Sequence, residues 1–301
     1  MIEIHSLDKT FDKDSAAPVH AVNHLSLSFQ EGITGLVGEN GAGKSTLFRL
    51  IAGTIQKDEG EILIDGSLND TPKARQSLFF LPDVPYAPAR YTAFQTAEFY
   101  SLFYPFDFSL FQQLTKKVNL PLERKISTYS KGMRRQLFLL IAFSVQCQNL
   151  LLDEAFDGLD PLVMELIREE VVRLALDQKK TIVISSHNID SIQRIADSLT
   201  ILYRGQLSEQ NNLSDMSEEL VKYQLISAQE IRAEDLEKLG YRIASCHISG
   251  SIVSLIVVKK EGFEEDIKQL YSPTLFEKVP LEGSELVTAE MMLARKGARH
   301  E

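Results

Sequence analysis

The chain has 301 residues, enough for one large domain or two smaller ones, and a 44% hydrophobic fraction that can supply a core. A formal charge of −10, with Lys116-Lys117, Lys179-Lys180 and Lys259-Lys260 as doublets rather than basic arms, argues against a nucleic-acid-binding surface. Cys147 and Cys246 make neither a disulfide framework nor a CxxC metal spacing, and the opening MIEIHSLDKTF lacks the layout of a signal peptide. The longest apolar run, QLFLLIAFSV at 136–145, is far short of the ~20 residues of a membrane-spanning helix.

In chain order, IEIHSL and NHLSLSF alternate apolar and polar residues, the pattern of half-buried strands, and GEILIDG repeats it. These predict an antiparallel layer. ITGLVG, NLLLDE and TIVISSH follow another logic, being short, densely apolar and each succeeded by a polar turn and a helix-like segment. Buried parallel strands of an α/β sheet read this way, and such sheets bind ligands beyond the carboxyl ends of their strands. The three runs end at Gly38, Asp153-Glu154 and His187, so one site can gather groups from all three.

The first of these ends carries GENGAGKST, residues 38–46, a complete GxxxxGK(S/T) match. Gly38, Gly41 and Gly43 let the backbone N–H groups of Glu39, Asn40 and Ala42 turn toward phosphate oxygens, and the following helix points its positive end at the same place. Lys44 is expected to reach the phosphates, with the Ser45 hydroxyl on Mg²⁺ and Thr46 beside it. By itself such a loop serves kinases, GTPases and ATPases alike. A GTPase needs a guanine-reading NKxD segment, and the sequence has none.

From residue 84 to 145 the chain reads as a helical subdomain inserted into the sheet domain. Its aromatic run at 94–111 has two readings, as the core of that subdomain and as a socket for a partner's helix. STYSKGMRRQ then opens an amphipathic helix with Ser130 as N-cap. Its start is an anion site, though an ordinary capped helix fits the same residues, and Arg134 and Arg135 read as surface charges on the first turns. Asp153 suits Mg²⁺, and Glu154 is placed to orient or deprotonate an attacking water. NNLSDMSEE at 211–219 reads as a linker. Beyond it the order βαββαβ over 220–301 matches a ferredoxin-like α+β domain with a last helix, in which Cys246 and His247 are packing residues.

Taken together, these motifs resemble the ATP-binding subunit of an ABC transporter. GENGAGKST is similar to the family's Walker A motif, YSKGMRRQ to its LSGGQ signature and LLLDE to its Walker B. GLDP is similar to the D-loop and SSH to the switch histidine. Order and spacing agree over residues 1–210, the ABC-type domain, with FFLPD at the Q-loop position. The implied fold is a P-loop NTPase with a mixed sheet, an antiparallel layer and a helical subdomain.

The resemblance also implies a mechanism. Two subunits, expected as a homodimer, would sandwich two ATP. Ser130 and Gly132 of one would face the P-loop of the other, Asp160 would connect the sites, and His187 would hold the γ-phosphate and the water. Phe11 stands where the family stacks an aromatic on adenine. The implied activity is ATP hydrolysis that powers transport, with bacterial exporters as the nearest type, from the cytoplasmic face of the membrane through separate membrane-spanning partners. A soluble mechanical or regulatory ATPase is the alternative. Asp83 stands where the family usually has glutamine, leaving it a role toward Mg²⁺ or water, and Lys131 and Met133 replace a glycine and the glutamine of the signature.

Overall fold

The computed structural model describes residues 1–15, 17–187, 189–212 and 219–297. It divides into two units, residues 1–207 and 208–301. In the first, the alternating segments form β1 (Ile2–Phe11) and β2 (Val19–Phe29), joined by β4 (Glu59–Ile64) and β5 (Ser67–Leu68) in an antiparallel sheet of order β2-β1-β4-β5. The apolar runs form β3 (Gly32–Val37), β7 (Asn149–Leu152) and β8 (Thr181–Ser186). With β6 (Leu78–Leu81), β9 (Ser198–Tyr203) and β10 (Gln206–Asn212) they make a six-stranded sheet, β10-β9-β3-β8-β7-β6.

Register fixes where the chain leaves this sheet. β3 and β8 run parallel with Val37 opposite Ser186, β7 and β8 with Leu152 opposite Ile184, and β6 and β7 with Leu81 opposite Leu152. Gly38, Asp83, Asp153 and His187 therefore emerge along one edge. Helix α1 (Lys44–Ile51) is clamped between the two sheets. Its Leu47, Phe48, Leu50 and Ile51 pack with Ile4, Leu27 and Ile62 of the antiparallel layer and with Leu36, Leu151 and Val183 of the central sheet. Burying each such side chain contributes ~1.5–3 kcal/mol, so the helix that carries the phosphate loop is rigidly held.

Helix α2 (Pro72–Ser77) precedes β6, and the helical subdomain is built from α3 (Ala93–Ser101), α4 (Phe108–Lys117) and α5 (Lys131–Ser144). Its apolar side chains divide. Phe111 is fully buried, whereas Leu102 and Phe103 are 77% and 62% exposed. Helices α6 (Pro161–Gln178) and α7 (Ile189–Ile192) follow β7 and β8. Among the described residues no helix is long and apolar enough to cross a membrane.

The second unit contains β11 (Leu220–Ile226), α8 (Ala233–Lys238), β12 (Ile243–Ser249), β13 (Ile252–Val258), α9 (Phe263–Tyr271), β14 (Leu275–Val279) and α10 (Gly283–Gly297). Its sheet is antiparallel with order β12-β13-β11-β14, the ferredoxin-like arrangement. Successive residues of β11 serve opposite faces: Val221, Tyr223 and Leu225 pack on Leu236 of α8 and on Phe263 and Ile267 of α9, while Leu220 packs on Leu286 and Leu293 of α10. Of the segment 211–219, residues 211 and 212 end β10, and 213–218 lie outside the described residues.

Candidate functional site

The phosphate loop turns on glycine. Gly43 has φ +106°, and a Cβ there would sit 2.2 Å from the carbonyl oxygen of Ala21 on β2, so neither the backbone nor the space admits a side chain. The loop is tied at both ends: Ala42 N–H donates to the Glu39 carbonyl at 3.0 Å, and Gly205 N–H donates to the Ala42 carbonyl at 2.9 Å. Gly38 is buried, Asn40 and Gly41 are exposed, and Ser45 and Thr46 are half-buried at the helix start.

Lys44 folds back into the loop it follows. Its Nζ donates to the carbonyls of Gly38 at 2.6 Å and Glu39 at 3.2 Å. Burial pulls its ammonium below the ordinary lysine value, and the Glu154 and Asp153 carboxylates counteract that pull. All three groups thus share one electrostatic neighbourhood.

Asp153 is 2% exposed, and its Oδ1 accepts from the Ser185 hydroxyl at 2.5 Å. The same hydroxyl oxygen accepts from Glu154 N–H at 3.0 Å, so Ser185 of β8 orients both acids of β7. Glu154 occupies the left-handed region at φ +48°, which swings it out of line with the strand. Its Oε2 lies 2.8 Å from Nδ1 of the half-exposed His187. Two oxygen donors, the Ser45 hydroxyl and the Asp153 carboxylate, fit magnesium, which takes few protein ligands and shares the rest of its shell with phosphate and water.

At the signature, Ser130 is the N-cap of α5, its Oγ accepting from Met133 N–H at 3.1 Å. Gly132 packs on the D-loop: a Cβ there would lie 2.7 Å from the Gly158 carbonyl oxygen. Lys131, the residue in place of a signature glycine, donates to Asp157 at 2.6 Å. Asp160 caps α6 by accepting from Leu162 N–H at 2.9 Å. Phe11 is 38% exposed at the β1 end, with Lys9 Nζ 5.3 Å from its ring centroid. It pairs with Val19, two residues before the Ala21 that touches Gly43.

Two placements depart from the sequence reading or escape it. Arg135 is not a surface charge: it is 4% exposed, with its guanidinium on the Asp83 carboxylate. Burial runs unbroken from Arg135 to Ser144, and the signal in the sequence is the dense apolar run that follows Arg135 directly. Ser185 reads in the sequence as an ordinary strand residue, although a hydroxyl inside a fully buried strand calls for a polar partner.

Comparison with known proteins gives the family. Residues 22–157 match the family model described as ABC transporter. The methionine import ATP-binding protein MetN 1 of Listeria innocua is 30% identical over 72% of this chain and 68% of its own length. This chain belongs to the ABC transporter family. The ABC transporter ATP-binding protein YtrB of Bacillus subtilis is 26% identical over 96% of the chain and 98% of its own length, so that match runs through the second unit. The ATP-binding cassette MJ0796, in a dimeric post-hydrolysis state bound to ADP and Pi, superposes with a TM-score of 0.64 at 21% identity, covering 70% of this chain and 98% of that one. The fold of residues 1–207 is thus that of an ABC cassette, and the chain is an ATP-binding, ATP-hydrolysing subunit that powers transport.

Proposed function

We propose that this ABC subunit works as a nucleotide-sandwich homodimer whose ATP-driven closure moves separate membrane-spanning partners, in the direction of export. The observation that carries the chemistry is the gathering of Lys44, Asp153, Glu154 and His187 beyond the carboxyl ends of β3, β7 and β8. Lys44 holds the β- and γ-phosphates. Ser45 and Asp153 hold magnesium, which when bound neutralises developing charge on the phosphates. Glu154 takes the proton of the attacking water, and His187, held by that carboxylate, presents its other ring nitrogen to the γ-phosphate and that water. Phe11 supplies a stacking face for adenine.

Closure enters through the capped start of α5. Ser130 and the backbone around Gly132 offer donors at a helix N-terminus, which favour the γ-phosphate of ATP bound to the other subunit. Asp160 and its D-loop, already packed under Gly132, relay between the two sites. Exposed Val84, Tyr86, Leu102 and Phe103 support a membrane-protein partner. Phe99 joins two of them, 6.4 Å from Tyr86 and 5.3 Å from Phe103, and an apolar patch of this kind marks an interaction site. The lysine-bearing signature and the appended α+β unit support export, and the acidic charge supports protein rather than nucleic-acid partners.

Affinity capture from native membranes tests this reading. A tagged Glu154→Gln variant with MgATP is expected to bring down an integral membrane protein from detergent extracts. Recovery of soluble proteins alone would favour a mechanical ATPase without a membrane partner.

A further inference from the structure

Arg135 is a cation drawn into the interior, and among the described residues one carboxylate, that of Asp83, is hydrogen-bonded to it. Its Nη2 donates to Oδ1 of Asp83 at 2.5 Å and to the Asp83 carbonyl oxygen at 2.8 Å. Its Nη1 donates to the carbonyl oxygens of Asp153 at 3.3 Å and Pro82 at 3.5 Å. The Arg135 side chain is 3% accessible, whereas that of Asp83 is 52% accessible. One guanidinium therefore fastens α5, the exit of β6 and the exit of β7 to each other. Its three carbonyl acceptors orient it but carry no net charge, so Asp83 alone of these partners neutralises it.

We propose that the Asp83–Arg135 pair is a positioning device that sets the Ser130–Gly132 end of α5 against the Asp153–Glu154 edge, and that Asp83 serves as counter-ion to Arg135 rather than as a ligand to metal or water. This rests on the sandwich reading above. Removal of the carboxylate charge takes from a buried cation its hydrogen-bonded counter-ion, and breaking one side of such a pair is strongly unfavourable. The guanidinium then turns toward solvent, releases the Asp153 and Pro82 carbonyls, and frees the start of α5 from the sheet edge. Glutamine, the usual residue of the resembling motif, accepts a hydrogen bond but supplies no charge, so it does not substitute here.

The test is ATP-dependent dimerisation in a Glu154→Gln background, measured by sedimentation, with ATP binding to the monomer measured alongside. Adding Asp83→Asn or Asp83→Gln is expected to weaken the dimer about tenfold, the scale of one coupled contact, with monomer ATP affinity unchanged. Asp83 is half-exposed, so these variants keep the fold where Arg135→Met risks losing it. Where Arg135→Met does fold, combining it with Asp83→Asn is expected to weaken the dimer no more than Arg135→Met alone. Dimerisation undiminished by Asp83→Asn, full function with glutamine, or a parallel loss of monomer ATP binding would each overturn the proposal. A Glu154→Gln reference that stays monomeric with ATP overturns the sandwich reading, and this proposal with it.

Discussion

The carboxylate of Glu154 and the ring Nδ1 of His187, brought from the ends of two adjacent parallel strands, stand 2.8 Å apart. The contact fixes which imidazole nitrogen is left for the nucleotide and holds the carboxylate at the rim of the phosphate loop. Glu154→Gln keeps the shape and removes the base. Its turnover is expected to fall by at least ~10²-fold, the scale of a lost general base, with ATP still bound. Steady-state hydrolysis together with nucleotide retention on a desalting column checks this, and wild-type turnover in the variant would exclude Glu154 as the base.

His187→Ala should lower kcat by ~10²-fold while affecting KM far less, because the ring acts on the phosphate and water in the transition state. A pure KM effect would assign the histidine to nucleotide capture instead.

Lys44→Ala removes the cation that the loop carbonyls hold in readiness. A charge-assisted hydrogen bond to phosphate is worth ~1.5–3 kcal/mol, so ATP affinity is expected to drop by ~10- to 100-fold in calorimetry. Unchanged affinity would remove the lysine from phosphate binding. Chelation of divalent cations with EDTA is expected to stop turnover and to be reversed by added Mg²⁺, and Asp153→Asn should raise the Mg²⁺ concentration needed for half-maximal rate.

Lys180 supplies a pH test independent of the nucleotide. It is buried and donates to the Val145 carbonyl at 3.1 Å, and burial lowers its pKa to about 8. The unfolded chain titrates this group near ~10.4, so between those values the unfolded state binds more protons and folding gains stability as pH rises. The stability of wild type minus that of Lys180→Met should therefore rise by on the order of 3 kcal/mol from pH 8 to 10.4, and as pH falls through 8 that contribution is lost. Parallel denaturation curves across this range would contradict it.

The exposed Phe103 offers a test of the membrane side. Phe103→Asp places a charge in the apolar patch without touching the nucleotide residues. Recovery of the membrane protein in affinity capture is expected to fall while the isolated subunit's ATPase rate stays. Full recovery would move the docking surface elsewhere.

Much of this architecture is legible in residue order. Dense apolar runs ending in Gly38, Asp153-Glu154 and His187 announce parallel strands with a common working edge, and the alternating IEIHSL and NHLSLSF announce the antiparallel layer. In the second unit, the βαββαβ order carries its strand arrangement with it. What stays hidden are polar residues whose partners are remote in sequence. Ser185 matters because β8 lies beside β7, 31 and 32 residues away from the two acids it binds. Arg135 is buried because a carboxylate 52 residues earlier meets it. Residue type sends an arginine to the surface by default, and only tertiary pairing reverses that default.

The central claim is that ATP closes two copies of this chain around the nucleotides. Sedimentation of Glu154→Gln with MgATP and with MgADP tests it most directly. A dimer with MgATP and a monomer with MgADP is the predicted result, while a monomer under both conditions would contradict the account.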